Sequence, residues 1–144
     1  MSFIRKHTAI APFCIALIAV FATAAEQSVP EKLEREEARK LENPVAYSKG
    51  SIREGRKSYL RLCQDCHGFD GRAQAVRDFD APNLRTPNVW RYGSSDGELF
   101  LTIRDGAGHD MPPFRKRLDE TKTWQLVHYL RSIGPKELRP AMQP

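Results

Sequence analysis

Cys63-Gln64-Asp65-Cys66-His67 decides how this chain is read. Two thiols three positions apart lie about one helical turn apart, so both reach one edge of a flat ring, and the imidazole that follows is set beneath the ring centre. This is the pentapeptide in which two cysteines add to the vinyl groups of haem and the histidine binds the iron. A C-x-x-C pair also occurs in thioredoxin-like redox sites, which want a βαβ context, and as half of a zinc site, which wants further Cys or His at ligand spacing. The flanking sequence has neither pattern. The expectation is one haem c, attached through thioethers at Cys63 and Cys66, with His67 as an axial ligand.

A haem held by one histidine keeps a sixth position, and its occupant decides between electron transfer and catalysis. Beyond residue 25 the chain has two methionines, Met111 and Met142, and three histidines, His67, His109 and His128. Met142 sits in a proline-flanked tail, and His128 shares a helix face with Trp124. Met111 follows Gly106-Ala107-Gly108 and precedes Pro112-Pro113, so its segment bends at the glycines and stiffens at the prolines. Such a segment can hold a weak sulfur ligand against a metal. Met111 is the expected second axial ligand, with His109 as the alternative.

Outward from the motif the pattern is helical. Residues 51–63 place Ile52, Gly55, Tyr59 and Leu62 on one face, with a notch at Gly55 where a second helix can approach closely. Ser95 and Glu98 form a capping box, so a helix starts there and runs until Gly106. Residues 123–133 repeat apolar positions at Trp124, Val127 and Leu130 and stop at Gly134-Pro135. Residues 70–92 show neither helical nor strand period. The fold class is all-α, about three to five helices with long loops, and loops of that length want something to pack on.

The N-terminus reads as an address. Arg5, Lys6 and His7 precede 18 uncharged residues that end in Ala22-Thr23-Ala24-Ala25, the plan of a cleaved secretory signal peptide over residues 1–25. Cys14 leaves with it. An uncleaved membrane anchor is the alternative, because that run lies just inside the spanning range of roughly 17 to 25 residues. Residues 26–44 carry six acidic and four basic side chains and few large apolar ones, which predicts a charged linker or frayed helix. Residues 45–139 form the domain and 140–144 a tail. The whole chain has 144 residues, 40% hydrophobic and 28% charged, with a formal net charge of +5. That is one small domain whose core needs a staple, and a multidomain enzyme is excluded.

Over residues 45–133 the chain resembles the class I c-type cytochromes. The matching residues are Gly55, Tyr59, Cys63 to Gly68, Gly71, Pro82, Leu84, Met111-Pro112 and Leu126 to Leu130. The resemblance implies a class I cytochrome c fold, small, monohaem and His/Met-ligated, in which the first and last helices cross. It also implies that the Pro82 carbonyl accepts a hydrogen bond from the second ring nitrogen of His67, and that Trp90 and Tyr92 either approach the propionate side of the haem or fill core.

The functional expectation is an electron-transfer protein and no enzyme. It is a periplasmic carrier, a monomer, moving single electrons between a dehydrogenase or quinol-oxidising complex and a terminal oxidase or reductase. Its alternatives are a membrane-anchored cytochrome subunit of a larger complex, and a haem enzyme or gas sensor with a labile Met111. Arg115, Lys116 and Arg117 either ring the haem edge and steer an acidic redox partner or form an ordinary solvated face. Nucleic acid is excluded as a partner, since export and the absence of a binding motif argue against it.

Overall fold

The computed structural model describes residues 33–73 and 81–144. The expected signal peptide, residues 26–32 and part of the long loop lie outside the described residues. Five α-helices follow in chain order: α1 (Arg35–Ala38), α2 (Lys49–Leu62), α3 (Gln64–His67), α4 (Asp96–Asp105) and α5 (Glu120–Ile133). Short 3₁₀ turns occupy Pro87–Val89 and Lys136–Leu138. The described residues contain no strand, only an isolated bridge between Ala107 and Met111. The all-α expectation is met among the described residues.

Each long helix begins where side chains satisfy its first amides. Ser48 accepts from Ser51 N while the Ser51 hydroxyl accepts from Ser48 N, both at 3.1 Å. Ser95 and Glu98 form the expected capping box of α4. Asp119 caps α5, which starts three residues before the apolar repeat does.

The helices α2 and α5 cross at the Gly55 notch. A Cβ built at Gly55 would stand 2.0 Å from the Gln125 carbonyl oxygen, so only glycine permits this approach. The crossing brings Tyr59 against Tyr129, ring centroids 5.0 Å apart. The core continues through Phe100, stacked on Trp124 at 4.2 Å, with Leu126, Val127 and Leu130. Arg131 near the end of α5 reaches the first residue of α4, Nε to Asp96 Oδ1 at 2.6 Å, and donates to the Ser94 carbonyl at 2.7 Å.

The described part of the charged N-terminal stretch packs on this domain. Leu33 and Ala38 are buried with Leu101 in a small second cluster. Gly97 makes room for α1, because a Cβ there would meet the Ala38 carbonyl oxygen at 1.9 Å. Asn43 donates to the Trp124 carbonyl at 3.0 Å. Charge composition alone reads this segment as solvated, whereas two apolar side chains and a glycine slot suffice to seat it. At the other end, Gln143 N donates to the Tyr47 carbonyl at 2.8 Å.

Candidate haem centre

The helix α2 ends at Cys63, whose amide still donates to Tyr59 O at 2.8 Å. One further turn, α3, carries Cys66 and His67, both amides donating to the Cys63 carbonyl at 3.2 and 2.9 Å. Gly68, at φ +76°, then turns the chain out of the helix, and the buried Tyr59 hydroxyl donates to its carbonyl at 2.5 Å. Leu84 N donates to Gly71 O at 2.7 Å and draws the segment from residue 81 back over the motif. The Pro82 carbonyl thereby lies 3.3 Å from His67 Nδ1. A carbonyl can only accept, so Nδ1 carries the proton and Nε2 keeps its lone pair for a metal. Burial pushes the His67 pKa below its ordinary value, against the opposing pull of Pro82, which keeps the ring neutral as a ligand must be.

Met111 is held by a different device. Gly106 and Gly108 adopt φ of +82° and +63°, and the two-way bridge closes the loop, Ala107 N to Met111 O at 2.9 Å and Met111 N to Ala107 O at 3.3 Å. A Cβ on Gly106 would meet the Met111 carbonyl oxygen at 2.5 Å. Phe114 N donates to the carbonyls of Ile103 and Arg104, each at 3.2 Å, so the loop is tied back to α4 immediately after the two prolines.

Between these arms lies a cavity of about 690 Å³, within the usual range of about 300–1,000 Å³ for cofactor pockets. Cys63, Cys66, His67 and Met111 all line it, and so do Pro82, Trp90 and Tyr92. The rest of the wall is largely apolar, with Leu99, Ile103 and Leu130. Neither cysteine is in a disulfide, and burial pushes the Cys63 thiol up to about 12, with Cys66 adding to the rise and Arg117 opposing it. Two thiols, an imidazole with a fixed tautomer and a thioether on one apolar cavity form a donor set that suits haem c.

The family model for cytochrome c oxidase, cbb3-type, subunit III matches residues 50–130. The chain belongs to this cytochrome family. It is 35% identical over 80 residues to the cbb3-type cytochrome c oxidase subunit FixP of Bradyrhizobium diazoefficiens, covering 56% of this chain and 27% of the relative. It is 32% identical over 95 residues to the subunit CcoP of an Azospirillum species, covering 64% and 32%. This cytochrome thus spans about a third or less of the curated relatives it matches. Among solved structures, cytochrome cL from Hyphomicrobium denitrificans aligns with a TM-score of 0.51 at 29% identity, over 59% of this chain and 49% of that one. The protein is an electron-transfer c-type cytochrome that carries covalently attached haem c.

Other expected residues of the cytochrome are distributed unevenly. His109 also lines the cavity. His128 does not; it is buried behind α2, its Nδ1 2.9 Å from Ser51 Oγ and its ring edge-on to Tyr47 at 5.0 Å. Arg115, Lys116 and Arg117 are exposed and outside the lining. They do not act alike, since Arg115 is paired with Asp105 at 3.0 Å, while Arg117 stands 5.7 Å from the centroid of the cavity-lining Phe114 ring. Trp90 lines the cavity, as the resemblance implied, and sequence reasoning missed two supports behind its walls, the carboxylate of Glu98 as an anchor and Arg35. Trp90 is fixed by its indole N–H donating to the Asn83 carbonyl at 2.8 Å. Glu98 turns out to be a buried carboxylate accepting from Ser94 N and Ser95 N, each at 3.0 Å. Arg35 reaches the cavity wall from α1. The capping box signals Glu98, whereas no local pattern signals Arg35.

Proposed function

We propose that this cytochrome is an exported carrier of single electrons in which Cys63 and Cys66 form the thioethers and His67 and Met111 are the axial ligands. The observation that supports it best is the shared cavity, with His67 oriented by Pro82 on one arm and Met111 on a glycine-hinged, proline-stiffened loop on the other. Haem c supplies a one-electron iron couple, and a Met/His pair favours its reduced form relative to two nitrogens or a thiolate. The chain's own part is to hold both ligands in one geometry for both oxidation states, to exclude water with Leu99, Ile103 and Leu130, and to keep the proton on His67 Nδ1. No step in this function requires a substrate to bind the iron.

The proposed site of action is the periplasm, after removal of residues 1–25, with a dehydrogenase or quinol-oxidising complex as donor and an oxidase or reductase as acceptor. The exposed Lys116 and Arg117 are the proposed steering charges toward an acidic partner face. The optical spectrum tests the ligand set. The oxidised protein should show the weak far-red band of sulfur on ferric haem, and Met111→Ala should abolish it and let carbon monoxide bind the reduced protein. A high-spin spectrum and carbon monoxide binding in the unmodified protein would overturn the carrier reading in favour of catalysis or gas sensing.

The similarity to oxidase subunits supports a second reading, a cytochrome tethered to a larger complex through an uncleaved N-terminal segment. Among the described residues no helix is long and apolar enough to cross a membrane, and the anchor in this reading is the uncharged run at residues 8–25. N-terminal sequencing of the protein from its native membrane and soluble fractions distinguishes the two, since a soluble chain beginning at residue 25 or 26 is the carrier.

A further inference from the structure

The short helix α1 lies before the residues 50–130 that match the family, yet its Arg35 acts on the cavity wall and its C-cap Arg39 on the loop beside it. Arg35 Nη1 donates to the Tyr92 carbonyl and, at 3.3 Å, to Thr102 Oγ1. Its guanidinium also stands 5.2 Å from the Tyr92 ring centroid. Tyr92 and Thr102 both line the cavity, the first from the loop before α4 and the second from α4 itself. One guanidinium therefore joins two separate pieces of the same wall from behind.

One turn later, Arg39 Nε donates to Glu98 Oε1 at 3.1 Å. The second oxygen of that carboxylate accepts the amides of Ser94 and Ser95. Gly93, at φ +88°, wraps the loop so tightly around Glu98 that a Cβ would stand 2.2 Å from the carboxyl carbon. Arg35 and Arg39 thus grip residues 92–95 at both ends, and the grip is seated by Ala38 in the Gly97 slot.

We propose that Arg35 is a positioning residue of the haem pocket, which ties the Tyr92–Gly93 wall to Thr102 and places a fixed positive charge behind it, so that the N-terminal segment outside the haem domain helps to set the balance between the oxidised and reduced protein. The physical argument has two parts. A cation in a partly buried site stabilises the form of a nearby centre that carries one positive charge fewer, here the reduced one. A charge-assisted hydrogen bond to a loop carbonyl also holds that loop closed against opening, because opening leaves the pair unmade. The proposal rests on haem c occupying this cavity and is independent of which residue is the sixth ligand.

The test uses the haem-loaded, full-length protein and its Arg35→Gln and Arg35→Lys variants, with reduction potential and amide hydrogen exchange as readouts. Arg35→Gln should lower the midpoint potential and raise the exchange rate of the Ser94 and Ser95 amides by about tenfold or more, the effect of losing one charge-assisted bond. Arg35→Lys keeps the charge and loses the fork, so it should recover most of the potential and leave the loop faster than in the unmodified protein. The far-red sulfur band, where the parent shows it, should persist in both, which separates a failure here from a failure of the Met111 assignment. An Arg35→Gln protein with the parent's potential and exchange rates overturns the proposal. If Arg35→Gln fails to take up haem, the Lys variant decides alone, and parental exchange at Ser94 and Ser95 then overturns the clamp.

Discussion

Replacing Gly55 by alanine should spoil the haem pocket from a distance of more than one helical turn. The added Cβ would lie 2.0 Å from the Gln125 carbonyl oxygen, 2.6 Å from its carbon and 3.0 Å from Tyr129 Cβ. Backbone cannot swing aside as a side-chain tip can, so α2 and α5 must part by about 1 Å or more to restore normal contact. Such overpacking costs typically about 1–3 kcal/mol, and backbone on the receiving side places this case at about 3. Alanine recovers about 1 kcal/mol of helix propensity, which leaves a net loss of about 2 kcal/mol. For a domain of this size that is a fall in Tm of roughly 10 °C. The separation also moves Tyr59, whose hydroxyl holds the carbonyl next to His67, so haem occupancy should fall with stability. Thermal unfolding followed by far-ultraviolet circular dichroism, with Gly50→Ala as a control, makes the comparison. Gly50 is on the same helix, and its Cβ would meet nothing nearer than Ser48 Oγ at 3.5 Å. A Gly55→Ala protein that unfolds within 2 °C of the parent would refute the close crossing and with it the account of how Tyr59 reaches the motif.

Tyr59→Phe removes the donor to the Gly68 carbonyl while keeping the ring, and should cost about 1–3 kcal/mol because a buried acceptor is left unpaired; denaturant titration of the haem-loaded protein reads it. Gly106→Ala must push on the Met111 carbonyl and abandon a left-handed conformation, so the far-red sulfur band should weaken before the protein loses helicity, and an unchanged band would contradict the loop's proposed role. His128 is held neutral, its pKa pushed down first by burial and then by Arg131, with Asp96 opposing. Its contribution to stability is therefore intact above the unfolded value near pH 6.5 and is lost as the pH falls below it, because the unfolded chain takes up the proton first. Unfolding free energies measured from pH 7.5 to 5 should decline, and His128→Gln should flatten that decline. Reversing Lys116 and Arg117 should slow electron exchange with an acidic partner and reduce its dependence on ionic strength, whereas Arg115, already paired with Asp105, should matter less; equal effects from all three would refute that distinction.

What was legible in the sequence was local. Cys63 to His67 specify covalent haem because the spacing of the three groups matches the cofactor within one turn. The capping box at Ser95 and Glu98 marks the start of α4, since a helix start is a matter of four consecutive residues. Gly55 could be read as a notch, because a glycine on an otherwise apolar helix face has few other uses. Residues 26–44 could be read only as a charged linker or frayed helix. The seating of residues 33–41 depends on Gly97 and Leu101, about sixty positions away, and no window on the chain contains both partners.

By itself, then, the sequence determined the cofactor, the helical class and the candidate ligands, all of which follow from residue type and short-range spacing. Only the tertiary structure decided which groups share a cavity. It set the Pro82 carbonyl opposite His67 Nδ1, placed His128 behind α2 and outside the cavity lining, and made the capping residue Glu98 also a buried anchor for Arg39. Each of these is a contact between segments remote in the chain, and its geometry is settled by how closely the backbones of α1, α4, α2 and α5 can approach at Gly97 and Gly55. Packing distance is a property of pairs of surfaces, and a single stretch of residues does not carry it.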